Sequence, residues 1–150
     1  MISSELALRL KQAGLEWRPV ERDFFMMPEH NLDEQIFVVS ALPALVQNFH
    51  SEMSITFHGS IEWALDYVLL SEAVWLPAET QMRALLSDAI GVDAPLRLDR
   101  TAAGYRVQIA SDADLLDFDA GDAENAYALA LLDEAQQTLL ALHIRKRGVD

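Results

Sequence analysis

The chain has 150 residues, no cysteine and a net charge of −13 at pH 7, and these three facts exclude several classes of protein. Disulfide frameworks, thiolate metal sites and cysteine nucleophiles all need cysteine, and a strongly negative surface repels nucleic-acid phosphates and anionic lipid. No run approaches the roughly 20 apolar residues that span a bilayer, and the start lacks a signal-peptide pattern. We therefore expect a cytoplasmic protein with no membrane role and no direct binding of nucleic acid.

The first half is predicted to contain a helix, then short strands, then a second helix. Ser3 or Ser4 can cap the first helix, which ends near Ala13, before Gly14. Apolar runs then predict strands at residues 23–27, 35–42 and 53–57, a turn at residues 29–34, and a short helix at residues 61–68. The second of these strands has four apolar residues in succession, so we expect both of its faces to be buried.

The second half has clearer signals. Pro77 suits the first turn of a helix that ends at Gly91. Apolar and polar residues then alternate in three segments, which predicts strands around residues 96–99, 105–109 and 116–119. Asp122 can cap a last helix that runs to about Leu142. The first turns of this helix are apolar almost all round, so we expect them to be deeply buried.

This mixture of strands and helices predicts an α+β fold, with a mainly antiparallel sheet and helices packed on it. The C-terminal half has the order α-β-β-β-α, which double-stranded-RNA-binding domains share as a topology only. Those domains reach phosphates with lysines at the start of the last helix, where this chain has Asp122 and Glu124. We expect one domain over residues 1–150, or two packed halves with a seam near residues 70–74.

The chain contains no motif that is typical of nucleotide binding or of serine hydrolases. The patterns G-x-x-x-x-G-K-[ST], G-x-G-x-x-G and G-x-S-x-G are absent, and the acidic run over residues 112–124 does not match a calcium-binding loop. One group of imidazoles and carboxylates would suit zinc, iron or manganese. These candidate metal ligands are His50, Glu52, His58 and Glu62.

Two kinds of residue are candidates for binding a partner. Tryptophans often anchor interfaces, although their position beside apolar residues here favours packing in the core. Acidic residues are concentrated in two stretches without lysine or arginine, residues 23–82 and 107–144. The candidates from both groups are Trp63, Trp75, Asp112, Asp114, Asp117 and Asp119.

Four segments resemble a family of small acidic bacterial proteins, some of which are labelled pilus assembly proteins. The segments are F-H-G-S-I-E-W-A-L-D, E-A-V-W-L-P-A-E-T-Q-M-R-A-L-L, G-Y-R-V and D-A-E-N-A-Y-A-L-A-L-L. A pilus ATPase needs a phosphate-binding loop, and this chain has none, so the residues do not support that label. The resemblance implies an α+β protein of the bacterial cytoplasm and supplies no catalytic residues.

These observations predict a non-catalytic protein that needs no cofactor and acts through contact with another protein, with a basic partner favoured by the charge. Two alternatives stay open. One is a metal-assisted hydrolase that uses the four candidate metal ligands, and the other is a nucleic-acid mimic that inhibits a basic protein. The sequence also leaves the oligomeric state open, a homodimer included.

Overall fold

The computed structural model describes residues 1–28, 32–40, 44–49, 52–57, 67–91, 93–110 and 115–147. Its contacts divide the chain into two compact units. We call Glu16–Pro77 the central unit, and Met1–Leu15 together with Ala78–Asp150 the terminal unit. The predicted seam near residues 70–74 lies a few residues before the boundary at Pro77, and the single domain stays a prediction.

The described residues of the central unit form two antiparallel sheets of three strands each. Its strands are β1 (Phe24–Met27), β2 (Leu32–Val38), β3 (Ala44–Phe49), β4 (Glu52–Phe57), β5 (Tyr67–Leu69) and β6 (Val74–Leu76). Sheet A has the order β2-β1-β6, and sheet B has the order β3-β4-β5. Together with the three described helices of the terminal unit, these sheets confirm the antiparallel α+β class predicted from the sequence, for the described residues.

Sheets A and B contribute side chains to one apolar core. Phe25 from β1, Ile55 from β4 and Val68 from β5 are fully buried in it, and Trp17 packs against them. Burial of an apolar side chain of this size stabilises a fold by about 1.5–3 kcal/mol. This core therefore holds the central unit together.

Strand β2 differs from its prediction in its position and its burial. It begins at Leu32, within the predicted turn, and ends at Val38. The expectation that both faces are buried is wrong, because Ile36 and Val38 are 54% and 42% exposed. Successive side chains of a strand point to opposite faces, and here Phe37 packs against the core while its two neighbours face outward. An apolar run marks a strand, but it does not show whether a second layer covers it.

The other differences in the central unit are smaller. Strands β3 and β6 are present without having been predicted. Most of the predicted helix at residues 61–68 lies outside the described residues, and its last two positions, Tyr67 and Val68, belong to strand β5 instead.

The terminal unit consists of three helices and one antiparallel sheet among its described residues. Its elements are α1 (Ser4–Gln12), α2 (Glu79–Ile90), β7 (Leu96–Thr101), β8 (Gly104–Ala110), β9 (Leu115–Ala120) and α3 (Ala123–Arg147). Sheet C has the order β7-β8-β9, and α3 contacts α1, α2, β8 and β9. The C-terminal half has the predicted order of elements, α2-β7-β8-β9-α3, and its likeness in topology to double-stranded-RNA-binding domains stays a prediction.

Two predicted caps position α1 and α3. The Ser3 hydroxyl accepts a hydrogen bond from the Leu6 N–H at 3.3 Å, and the Asp122 carboxylate accepts one from the Asn125 N–H at 2.8 Å. The Ser3 N–H donates to the Asn125 side chain at 2.9 Å, which connects the starts of the two helices. The early part of α3 is deeply buried, as predicted, with Tyr127 among the largest fully buried side chains.

No helix in the described ranges is long and apolar enough to cross a membrane.

Candidate functional site

Only one of the four candidate metal ligands lies in the described part of the chain. Glu52 is exposed at the start of β4, where it pairs with Phe49. His50, His58 and Glu62 lie outside the described residues. Among the residues that are described, no group of three histidine, aspartate or glutamate side chains could hold a metal ion. The metal-assisted hydrolase therefore stays an untested hypothesis.

Asp117 and Asp119 lie on the outer face of sheet C and are paired with a cation on the neighbouring strand. The Arg106 guanidinium donates to both carboxylate oxygens of Asp119, at 2.8 and 2.9 Å, and lies 3.0 Å from Asp117. The Gln108 side chain also donates to Asp117, at 2.8 Å. These two carboxylates already have partners within the sheet, which leaves less of their charge for a second protein. Asp112 and Asp114 lie outside the described residues.

Removal of the Arg106 cation is expected to raise the pKa of Asp119. The hydrogen bond from Arg106, helped by its charge, lowers this pKa below the ordinary value, while burial acts in the opposite direction. The pair therefore stabilises the fold above the ordinary pKa of aspartate, and this effect is lost as the pH falls through the lowered value. In Arg106→Gln, the Asp119 titration followed by carboxyl NMR should move toward the ordinary pKa.

Arg97→Gln is the control for this titration, because the Arg97 guanidinium binds Asp99 and not Asp119. An unchanged Asp119 pKa in Arg106→Gln would show that the pair does not form in solution.

Trp75 is part of a stacked aromatic cluster. Its ring lies nearly parallel to that of Trp17, with 6.4 Å between the centroids, and Trp17 in turn contacts Phe25. The Trp17 indole N–H donates to Asp23 at 2.8 Å, and Asp23 is itself only 2% exposed. This arrangement favours a packing role for Trp75, as its place beside apolar residues suggested. Trp63 lies outside the described residues.

An apolar groove lies between α1, α2 and α3, and among its described lining residues Glu134 carries the one carboxyl group. Burial, and then the charge of Asp133, raise the pKa of Glu134. The other described residues that line the groove are apolar or glycine: Leu10, Ala13, Gly14, Leu15, Leu85, Ala89, Leu131 and Ala135.

Sheet A exposes an apolar surface that the sequence analysis did not identify. Phe24 pairs with Val38 and Met26 with Ile36, so these side chains lie on one face of the sheet. Phe24, Ile36 and Val38 are 39%, 54% and 42% exposed, and we call these three residues the β1–β2 patch. Contiguous exposed apolar surface marks many sites of protein interaction.

Other exposed large apolar side chains of the described residues do not form such a group. They are Met1, Val20, Met53 and Leu115, and no two of them are paired in a sheet. Single exposed apolar side chains are normal on protein surfaces. The β1–β2 patch is therefore distinguished by its contiguity.

The patch lies at an edge of sheet A. In the described part of the chain, β2 pairs with β1 on one side and with no strand on the other. The Val39 N–H donates to the Asp23 carbonyl at 2.8 Å, and the Val39 carbonyl accepts from Arg22 at 2.7 Å. Because backbone groups alternate in direction along an antiparallel strand, those of Ile36 and Val38 point to the open edge.

The unit that carries the patch is strongly acidic. Glu16–Pro77 contains ten acidic residues and only two cationic ones, Arg18 and Arg22, a net charge of −8. Strand β2 itself reads L-D-E-Q-I-F-V, with two acids and no cation. A net negative charge of this size attracts basic partners and repels acidic ones.

The described fold and site define an acidic α+β protein with an exposed apolar sheet edge. No protein-family model, curated protein or solved structure matches the chain. The resemblance to small acidic bacterial proteins therefore stays an expectation.

Proposed function

We propose that this protein is a non-catalytic binding module that contacts a basic partner protein through the β1–β2 patch. The observation that supports this most is the combination of a contiguous exposed apolar patch with a net charge of −8 on the same unit. Apolar contacts would supply most of the affinity, because their burial removes hydrocarbon surface from water. Charge would select the partner and accelerate the encounter.

The acids of sheet C contribute less to this proposal. Asp117 and Asp119 are held by Arg106, so the proposed contact does not depend on them. The central unit has only two arginines for its ten acids, and it carries most of the unbalanced negative charge. The partner-binding surface that we propose is therefore on sheet A, and not at the sheet C carboxylates that the sequence suggested.

The proposal is tested by affinity capture from a native lysate with three baits. These are the wild-type protein, the patch variant Ile36→Ser/Val38→Ser, and Leu115→Ser, which removes a 62% exposed leucine from the terminal unit. We expect wild type and Leu115→Ser to retain the same basic protein, and the patch variant to lose it. Retention should fall as the salt rises above about 0.1 M, where the screening length is about 10 Å.

The captured protein is then identified, purified and titrated against each bait by calorimetry. Burial of the patch should give a negative heat-capacity change with wild type that is smaller with the patch variant. Equal affinity for all three baits would contradict the proposal, as would turnover of a substrate by the purified protein.

A further inference from the structure

We infer that an extended basic segment of the partner adds to the open edge of β2 as a fourth strand of sheet A. This inference rests on the proposed function, since it specifies how the partner occupies the β1–β2 patch. It follows from three features of the edge: its backbone groups, its side chains and its charge.

The backbone of β2 offers hydrogen bonds to an incoming strand. The N–H and C=O groups of Ile36 and Val38 point away from β1, as the hydrogen bonds of Val39 establish. An exposed edge of this kind is a template for pairing with another chain. Recognition by strand addition uses these main-chain bonds for affinity and the alternate side chains for specificity.

The side chains of sheet A form apolar rows that remain open at this edge. One row runs from Leu76 through Phe24 to Val38, and its members become more exposed toward β2. The second row runs in the same direction from Val74 through Met26 to Ile36. A further strand with apolar residues at alternate positions would extend both rows and cover their exposed ends.

Charge selects a basic segment rather than a second copy of this chain. Two central units that met edge to edge would each bring a net charge of −8. Like charges at an edge oppose such pairing. A segment that alternates apolar residues with lysine or arginine would contact the apolar rows with its apolar side chains and would be attracted to the acidic unit by its charge.

The test uses short synthetic peptides that alternate lysine and valine. In antiparallel addition, the peptide residues opposite Ile36 and Val38 exchange backbone hydrogen bonds with them. The side chains of these peptide residues lie on the same face as Ile36 and Val38, so valine is used at these positions. One peptide is methylated on the valine backbone amides and a second on the lysine backbone amides. The two methylated peptides have the same composition and charge, and they differ only in which of the peptide's two hydrogen-bonding edges is blocked.

We expect valine-amide methylation to weaken binding at least about tenfold more than lysine-amide methylation, a difference of about 1.4 kcal/mol. A protein variant checks the same contact from the other side. Ile36→Pro removes an outward N–H, and Ile36→Ala keeps it, so the proline variant should bind the unmethylated peptide more weakly. Thermal unfolding of both variants verifies that sheet A remains folded.

Several results would overturn the inference. Equal affinity for the two methylated peptides would exclude strand addition, and so would the absence of binding by the unmethylated peptide. A patch-dependent dimer in sedimentation would identify a second copy of this chain as the occupant. In each case the proposed function would still stand if capture of the partner from the lysate required Ile36 and Val38. A failure of strand addition can therefore be distinguished from a failure of the proposed function.

Discussion

Phe25→Ala is expected to lower the free energy of unfolding by about 3–5 kcal/mol, the range for loss of a buried phenylalanine. Phe25 has no exposed surface and lies in the core shared by sheets A and B. Its ring contacts Trp17 and Phe37, with centroid distances of 5.6 and 5.4 Å. Its removal leaves a cavity that this aromatic cluster cannot close without moving. Denaturant unfolding followed by tryptophan fluorescence measures the loss.

Phe24→Ala is the matched control, because the two phenylalanines are neighbours in β1 and face opposite sides of sheet A. Phe24 is 39% exposed, so its removal should cost about 1–2 kcal/mol, less than the removal of Phe25. The same variant should weaken the proposed partner contact, since Phe24 belongs to the β1–β2 patch. Equal destabilisation by the two substitutions would contradict the described orientation of β1.

Gly104→Ala is expected to destabilise the terminal unit by about 2–4 kcal/mol, from backbone strain and steric overlap together. Gly104 begins β8 with φ +146°, a conformation that L residues with a side chain rarely adopt. A Cβ at this position would overlap the carbonyl oxygen of Ala120 and lie 2.8 Å from the Gly121 Cα. Both neighbours are backbone atoms, so no rotamer change relieves the contact. Thermal unfolding followed by circular dichroism measures the effect.

Gly121→Ala provides the comparison for this second variant. Gly121 lies next to Ala120 in the same turn region, and a Cβ there would meet no atom within 4 Å. We expect a stability change within about 0.5 kcal/mol, as for most exposed substitutions. An equally small change in the stability of Gly104→Ala would contradict the close approach of Gly104 to the end of β9.

Local signals predicted much of the terminal unit. The caps at Ser3 and Asp122 act through hydrogen bonds within a few residues, so the sequence alone locates the starts of α1 and α3. The alternating segments of β8 and β9 have one face toward α3 and the other toward solvent, and a strand that is covered on one face is what such alternation predicts.

The central unit was less predictable, because its strands depend on contacts between distant residues. The run Ile36-Phe37-Val38-Val39 reads the same whether one face or both faces are covered. Its half-exposed state follows from the place of β2 at the edge of sheet A, which no local pattern encodes. The β1–β2 patch was missed for this reason.

The candidate carboxylates of sheet C illustrate the same difficulty. Their acidity was evident from the sequence, but their pairing with Arg106 depends on the register between β8 and β9. That register places Asp119 directly opposite Arg106 and Asp117 opposite Gln108. Charge counted along the chain therefore did not reveal these ion pairs, and a role of the two residues in binding a partner stays a prediction.

We propose above all that the β1–β2 patch binds a segment of the partner that is both apolar and basic. The most direct measurement is the affinity of the alternating lysine–valine peptide for wild type, Ile36→Ser/Val38→Ser and Leu115→Ser, at one fixed salt concentration. We expect the affinity for the peptide to fall at least about tenfold, or about 1.4 kcal/mol, in the patch variant alone. The same affinity for all three proteins, or an equal loss in Leu115→Ser, would contradict it.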